Sequence, residues 1–311
     1  MTEKSSKRNK SGIYGKAIKF IELREWLNKT FIMEAYDDPK SSISLVDDKT
    51  LAISSPMHIA RFVYIAPFVL AFWCVFFSIG SSMWPSEGHI EFAHDMARIN
   101  QESRERGELV EEHFLYFDAM LGEDGKSSLL DYTNAIINYG SESMKEGLYK
   151  DFIILIVTFI ISLAATILFL RIPRMADLYF DRQRQIVYTW RNGKVAACHF
   201  DNLGYRETVY GLDLFLYREH KKKQYWPTRV TVQPTGRVHF NTEDDSTVFM
   251  AQVFNFMDKG KSAVITGDRF ERKPARFYLR VDKKPENFEQ RVAEILKRDH
   301  ELPELYTKHL I

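Results

Sequence analysis

The sequence predicts a membrane α+β protein: two transmembrane helices, a mostly helical loop between them, and a C-terminal antiparallel sheet closed by helices. Three observations predict it. Phe62–Gly80 and Phe152–Leu170 are apolar and uncharged, and each approaches the roughly 20 helical residues needed to cross hydrocarbon. The 71 residues between them are acidic. The C-terminal part reads first with the two-residue period of strands and then with the period of helices. The predicted organisation is a cytoplasmic arm over 1–57, a first transmembrane helix over 58–84, an acidic extracytoplasmic loop over 85–150, a second transmembrane helix over 151–171 and a cytoplasmic α+β domain over 172–311.

The arm opens with a solvated basic run, Lys4, Lys7, Arg8 and Lys10. From Gly12, Ile13, Ala17, Phe20, Leu23, Leu27 and Phe31 recur at three or four, which predicts a helix. Lys16, Lys19, Arg24 and Lys29 on its other faces suit an anionic membrane surface, while the apolar stripe suits docking on the C-terminal domain; both readings stand. Ile43–Val46, a turn at Asp47-Asp48-Lys49 and Leu51–Ile53 predict a hairpin. An isolated hairpin is marginal in water, so it is expected to join the C-terminal sheet.

Pro56 after Ser55 suits the start of the first transmembrane helix. That span carries seven aromatics between Phe62 and Gly80, with Trp84 placed as an interfacial anchor. Pro67 lies inside it and predicts a kink. Of the 19 residues Phe152–Leu170, 14 are Leu, Ile, Phe or Val. At about −0.3 to −0.6 kcal/mol each, these favour insertion by roughly 4 to 8 kcal/mol. Thr158, Ser162, Ala165 and Thr166 share one face, which predicts close packing against the first span or, alternatively, an oligomer contact. The polar residues ahead of the first run argue for an internal anchor rather than a cleaved signal peptide.

Within about 20 residues of the span ends, the outer flanks carry Lys49, Arg61, Arg171, Arg174, Arg182 and Arg184, against Arg98, Arg104, Lys145 and Lys150 in the loop. That bias places both termini in the cytoplasm, with the acidic loop outside. Whole-segment charge agrees: +3 for residues 1–61, −9 for 81–151 and +7 for 171–311, within a net +1. Cys74 lies in a span and Cys198 in the tail, so no disulfide framework is expected. A bacterial inner membrane fits these features.

In the loop, Ile90–Gly122 and Ser127–Tyr149 show helical period, and two helices extending the spans as an antiparallel pair are the simplest arrangement. His89, His94 and His113 lack metal-ligand spacing. In the tail, strands are predicted at Ile186–Trp190 and Val195–Phe200, joined by the turn pair Asn192-Gly193. Further strands are predicted at Leu212–Tyr217, Trp226–Val232 and Arg237–Phe240. A helix capped by Asp244, Asp245 or Ser246 is expected to stop at Gly260, and a second to run from Glu286 to His300.

Gly125-Lys126-Ser127 and Gly260-Lys261-Ser262 lack the leading glycine of a phosphate loop. His199, Asp201, His220 and His239 show no spacing that sets a nucleophile beside a base. Neither a catalytic residue nor a cofactor or metal is expected. Arg218, Lys221, Lys222 and Lys223 form the densest basic cluster, at a predicted strand connection. A solvated loop is the ordinary reading of such a run. Contact with anionic lipid headgroups is the functional one, at about 1 kcal/mol per basic residue. The tail has no basic stripe of the kind nucleic acid requires.

Leu178-Tyr179-Phe180-Asp181-Arg182, Val187-Tyr188, Trp190-Arg191-Asn192-Gly193-Lys194-Val195 and Phe200-Asp201 together resemble an uncharacterised bacterial family with transmembrane helices ahead of such a domain, several members of which are encoded near type VI secretion effector genes. Phe249–Met257, followed by Asp258-Lys259-Gly260-Lys261, is similar to a helix of that family, with Phe256 in place of its usual tyrosine. Phe200 stands where tryptophan is more common. The likeness spans residues 150–265 at most and rests on packing and turn positions. It implies a non-enzymatic inner-membrane protein that binds a cognate effector as an immunity factor. The alternative is a membrane-anchored sensor or regulator coupling the acidic loop to the cytoplasmic domain. Membrane lipids and a protein are the expected partners, nucleic acid is not, and an oligomer is compatible with the spans.

Overall fold

Alternating β-branched and aromatic residues form strands that, in the computed structural model of the chain, join one antiparallel sheet. The structure describes residues 16–31, 33–111, 114–122, 125–208, 210–220, 224–236, 241–273 and 278–309. The interval Ile65–Phe169 is one unit, and the segments on either side of it together make another. The strands are β1 (Ile18–Lys19), β2 (Ile43–Val46), β3 (Thr50–Ile53), β4 (Leu178–Asp181), β5 (Ile186–Arg191), β6 (Lys194–His199), β7 (Gly204–Thr208), β8 (Gly211–Glu219), β9 (Tyr225–Val232) and β10 (Phe270–Glu271). The helices are α1 (Arg24–Thr30), α2 (Met57–Ala60), α3 (Ala66–Ser82), α4 (Glu87–Glu105), α5 (Leu115–Met120), α6 (Leu129–Tyr139), α7 (Glu142–Arg171), α8 (Glu243–Lys259), α9 (Phe288–Leu296) and α10 (Leu302–His309).

All the strands belong to the unit flanking the interval, in the order β1-β7-β8-β6-β5-β4-β3-β2-β10, with β9 on the other edge of β8. The hairpin β2–β3 adds to the sheet through β3, where Leu51 opposes Phe180 and Ile53 opposes Leu178. Asn192 and Gly193 adopt φ of 51° and 72° between β5 and β6, the positive pair a two-residue hairpin turn requires.

Alternation then assigns the faces. Phe180 and Val187 point to one side, where Phe200 and Phe254 of α8 pack edge-on at 5.6 Å between ring centroids. Tyr188, Trp190 and Phe215 point to the other, against Phe288 of α9 and Tyr306 of α10. Helices therefore close the sheet on both faces.

The arm docks on this domain. Its residues 20–31 hold a 3₁₀ turn and the short α1, and β1 pairs with β7, so the single helix from Gly12 is not formed over the described part; residues 1–15 lie outside it. Phe20 is fully buried, stacked 4.7 Å from Phe254. Arg24 pairs with Asp258 at 2.9 Å, and Lys40 donates to Asp245 at 2.6 Å. A β contact with a distant strand overrides the local helical period here.

The helix α8 starts two to four residues earlier than expected. Its N-cap is Thr242, which with Asp245 closes a reciprocal capping box, and Gly260 ends it. The Lys40 ammonium and the Thr242 bonds hold the Asp245 carboxyl at about 2, below its ordinary 3.8. A carboxyl so lowered contributes its full stability above about pH 4 and loses it as pH falls through about 2. Asp245→Asn is expected to flatten the acid limb of the stability curve across that window, read as denaturation midpoints of the full chain in detergent. The expected helix Glu286–His300 is instead α9, a 3₁₀ turn at Asp299–Glu301 and α10. The strand expected at Arg237–Phe240 lies outside the described residues.

The interval unit is helical. α3 and α7 belong to the two helical stretches long and apolar enough to cross a membrane, and almost none of either apolar stretch is buried within the protein. Phe68 and Leu168 are each 66 % exposed. The two pack together along the expected small-residue face: Trp73 Nε1 donates to Thr166 Oγ1 at 2.9 Å, Trp73 meets Phe159 edge-on, and Ser162 is fully buried. Ser162 and Thr166 donate to carbonyls one turn back, which leaves no idle hydroxyl donor on that face.

Pro67 is accommodated by a π-helical stretch, Arg61–Ile65, immediately before α3. A proline removes an N–H donor and crowds the carbonyl four residues back, and a wider turn relieves both. Between the two apolar stretches, α4, α5, α6 and the start of α7 replace the expected pair of helices. Met83, Ala93, Tyr116, Met120 and Ile136 form their core, and Asn100 ties α4 to the Phe114 carbonyl at 3.0 Å and Asp118 at 3.2 Å.

Candidate functional site

A cleft of about 400 Å³ opens on the α8 side of the sheet. Register builds its floor and one wall. Arg191 opposes Lys194 across the β5–β6 turn, Thr189 opposes Ala196, and Ala196 in turn opposes Arg218 of β8. Thr228, Val230 and Val232 of β9 continue the same face. The other wall comes from Ile53 of β3, the entry to the first helix at Pro56, Met57 and Ala60, and Met175 after α7.

Among the described residues the lining mixes apolar side chains and hydroxyls with four basic residues, Arg191, Lys194, Arg218 and Arg229, and holds no carboxylate. Among the described residues, Arg191, Lys194 and Arg218 have no ion-pair partner; Arg218 reaches only the Arg191 carbonyl, at 3.3 Å. Burial, and then the neighbouring charge of Arg191, push the Arg218 pKa below the ordinary arginine value. Arg229 also borders the cleft, but alternation turns its side chain to the opposite face, where it meets Asp213 at 3.6 Å. Gln233, 5 % exposed, lines the cleft with its Oε1 unpartnered. The arrangement suits an anion carried on an apolar body.

A second polar group lies nearby in the same unit. Asp177 accepts from Ser44 Oγ at 2.7 Å and faces His58 Nε2 at 3.5 Å, while His58 Nδ1 bonds Tyr278 Oη at 2.8 Å. Arg61, fully buried, stacks its guanidinium 4.2 Å over the Tyr278 ring. The carboxylate sits between hydroxyl and imidazole, an order unlike a nucleophilic triad, in which the imidazole takes the serine proton. The group instead anchors the chain on both sides of the interval to the 278–282 segment, where Arg174 N–H donates to the Arg280 carbonyl and Asp282 N–H to the Arg174 carbonyl, each at 2.8 Å.

Of the basic cluster expected at the strand connection, Arg218 is in the cleft, and Lys221, Lys222 and Lys223 lie outside the described residues. Arg191 and Lys194 enter the sequence reading only as turn positions and not as site residues; the signal for a site is their position flanking Asn192-Gly193, which puts both side chains on one face of a hairpin. His89 and His94 form no metal cluster among the described residues, and His113 lies outside them. Cys74 is exposed and Cys198 buried, both as free thiols. Comparison with family models, curated proteins and solved structures finds no match.

Proposed function

We propose that the chain is a bacterial inner-membrane protein with both termini cytoplasmic, which acts by binding another protein rather than by catalysis. The observation that carries the anchoring is the exposure of two long apolar helices whose outward side chains meet no protein. Patches of that extent need a non-aqueous neighbour. The excess of Lys and Arg outside the pair supports the orientation.

A binding role is supported by two chemically distinct units, one acidic and helical, the other a sheet domain built around a cleft. The partner is a type VI secretion effector, which this chain neutralises; that rests on the resemblance of residues 178–201 and 249–261. Two measurements test the two parts. The chain is expected in the membrane fraction after alkaline wash, with reporters at residue 311 active only in the cytoplasm. Cells lacking the chain are expected to die beside siblings that deliver the neighbouring effector, and equal survival would reject the immunity role.

A further inference from the structure

The cleft's chemistry specifies a ligand. Three cations from three strands converge on one face, none in an ion pair among the described residues, and two of them, Arg191 and Arg218, repel each other. Guanidinium pairs of this kind are suited to phosphate, which accepts two parallel N–H bonds from each fork. The rest of the lining mixes hydroxyls such as Ser55 and Thr228 with Ile53, Met57, Met175 and Val230, an apolar part that a free anion would leave unused. Gln233 Oε1 offers an acceptor for a ligand hydroxyl or amine.

Chain connectivity says where such a ligand is met. Ala60 immediately precedes the stretch that leads into the first apolar helix, and Met175 follows the end of α7 at Arg171 by four residues. Four residues span at most about 14 Å. One wall of the cleft is therefore tethered at the ends of both apolar helices.

We propose that this cleft is a binding site for an anionic phospholipid, with its phosphate held by Arg191, Lys194 and Arg218 and its glycerol and first methylenes against Met57, Met175 and Val230. The source of the ligand rests on the membrane reading above; the pocket chemistry does not. Full-length protein in a neutral detergent is titrated with dioctanoyl phosphatidylglycerol, dioctanoyl phosphatidylcholine and inorganic phosphate, with binding read by calorimetry. The assay needs no membrane, so it stays separable from a failed fractionation.

Phosphatidylglycerol is expected to bind at least roughly tenfold more tightly than either other probe. Arg191→Gln, a change at an exposed position, combined with Arg218→Gln is expected to weaken it roughly tenfold or more, while Arg218→Lys keeps part of the affinity. Lys297→Gln, an exposed cation elsewhere on the domain, is expected to change nothing. Equal affinity for phosphatidylcholine, or an Arg191→Gln chain that binds like the parent, would overturn the site. Inorganic phosphate binding as tightly as the lipid would overturn the lipid as its ligand.

Discussion

Phe20→Ala is expected to destabilise the sheet domain by about 3–5 kcal/mol, the usual cost of deleting a buried phenyl ring. Phe20 is fully buried and sits amid three aromatics: stacked on Phe254, edge-on to Phe200 at 5.9 Å and tilted against Tyr205 at 5.7 Å. Those rings come from α8, the turn after β6, and β7. The cavity would open at the point where the arm meets both the sheet and its covering helix, so little collapse is available. Denaturation of the full chain in detergent, followed by tryptophan fluorescence, reads the loss. A change under about 1 kcal/mol would mean that the arm is not part of the core.

The arm also shows where sequence reasoning stops. Its apolar spacing from Ile13 to Phe31 has a helical period, and both docking and membrane contact satisfied it. What decides is the pairing of Ile18 and Lys19 with Tyr205 and Gly204, residues nearly two hundred positions away. No local period encodes such a contact. The hairpin Ile43–Ile53 was legible because its turn and alternation are local, and its need for a sheet followed from the weakness of a lone hairpin. β4 was not assigned as a strand, although Leu178-Tyr179-Phe180-Asp181 alternates. It is only four residues long, and one of its two neighbours, β3, precedes it in sequence by the whole stretch that holds both apolar helices.

The cleft was legible in part. Arg218 stood out because charges clustered beside it in sequence. Arg191 and Lys194 did not, since each sits alone in a turn and only strand register brings them to Arg218. The capping of α8 shows the same limit at smaller scale: Asp244, Asp245 and Ser246 all read as caps, and the reciprocal bonds of Thr242 with Asp245 choose the boundary.

The second large effect is expected at Gly211, where β8 begins. Its φ is +127°, and a methyl group built there would lie 2.3 Å from the Val232 carbonyl oxygen. Val232 pairs with Leu212, so that carbonyl belongs to the β8–β9 ladder and cannot step aside without breaking register. Gly211→Ala combines a backbone conformation that costs a side chain about 1–3 kcal/mol with an overpacking cost of similar size. A loss of roughly 2–4 kcal/mol is expected. Gly193→Ala provides the comparison. Gly193 also has positive φ, +72°, but nothing lies within 4 Å of the added methyl, so only about 1 kcal/mol is expected there. Hydrogen exchange should quicken along β8 and β9 in the first variant alone; equal losses in both would show that crowding by Val232 contributes nothing.

The sheet is stitched from chain that precedes the first apolar helix and chain that follows the second. On the ribosome, β2 and β3 emerge with their partner strand still unmade, and the 124 residues 54–177 must follow before β4 appears. At about 5–20 residues per second, that leaves a bare hairpin edge waiting for roughly 6 to 25 seconds. The whole interval Ile65–Phe169 is therefore synthesised before the domain can close. Once closed, the domain ties together the chain entering and the chain leaving that interval through the ladder in which Leu51 opposes Phe180.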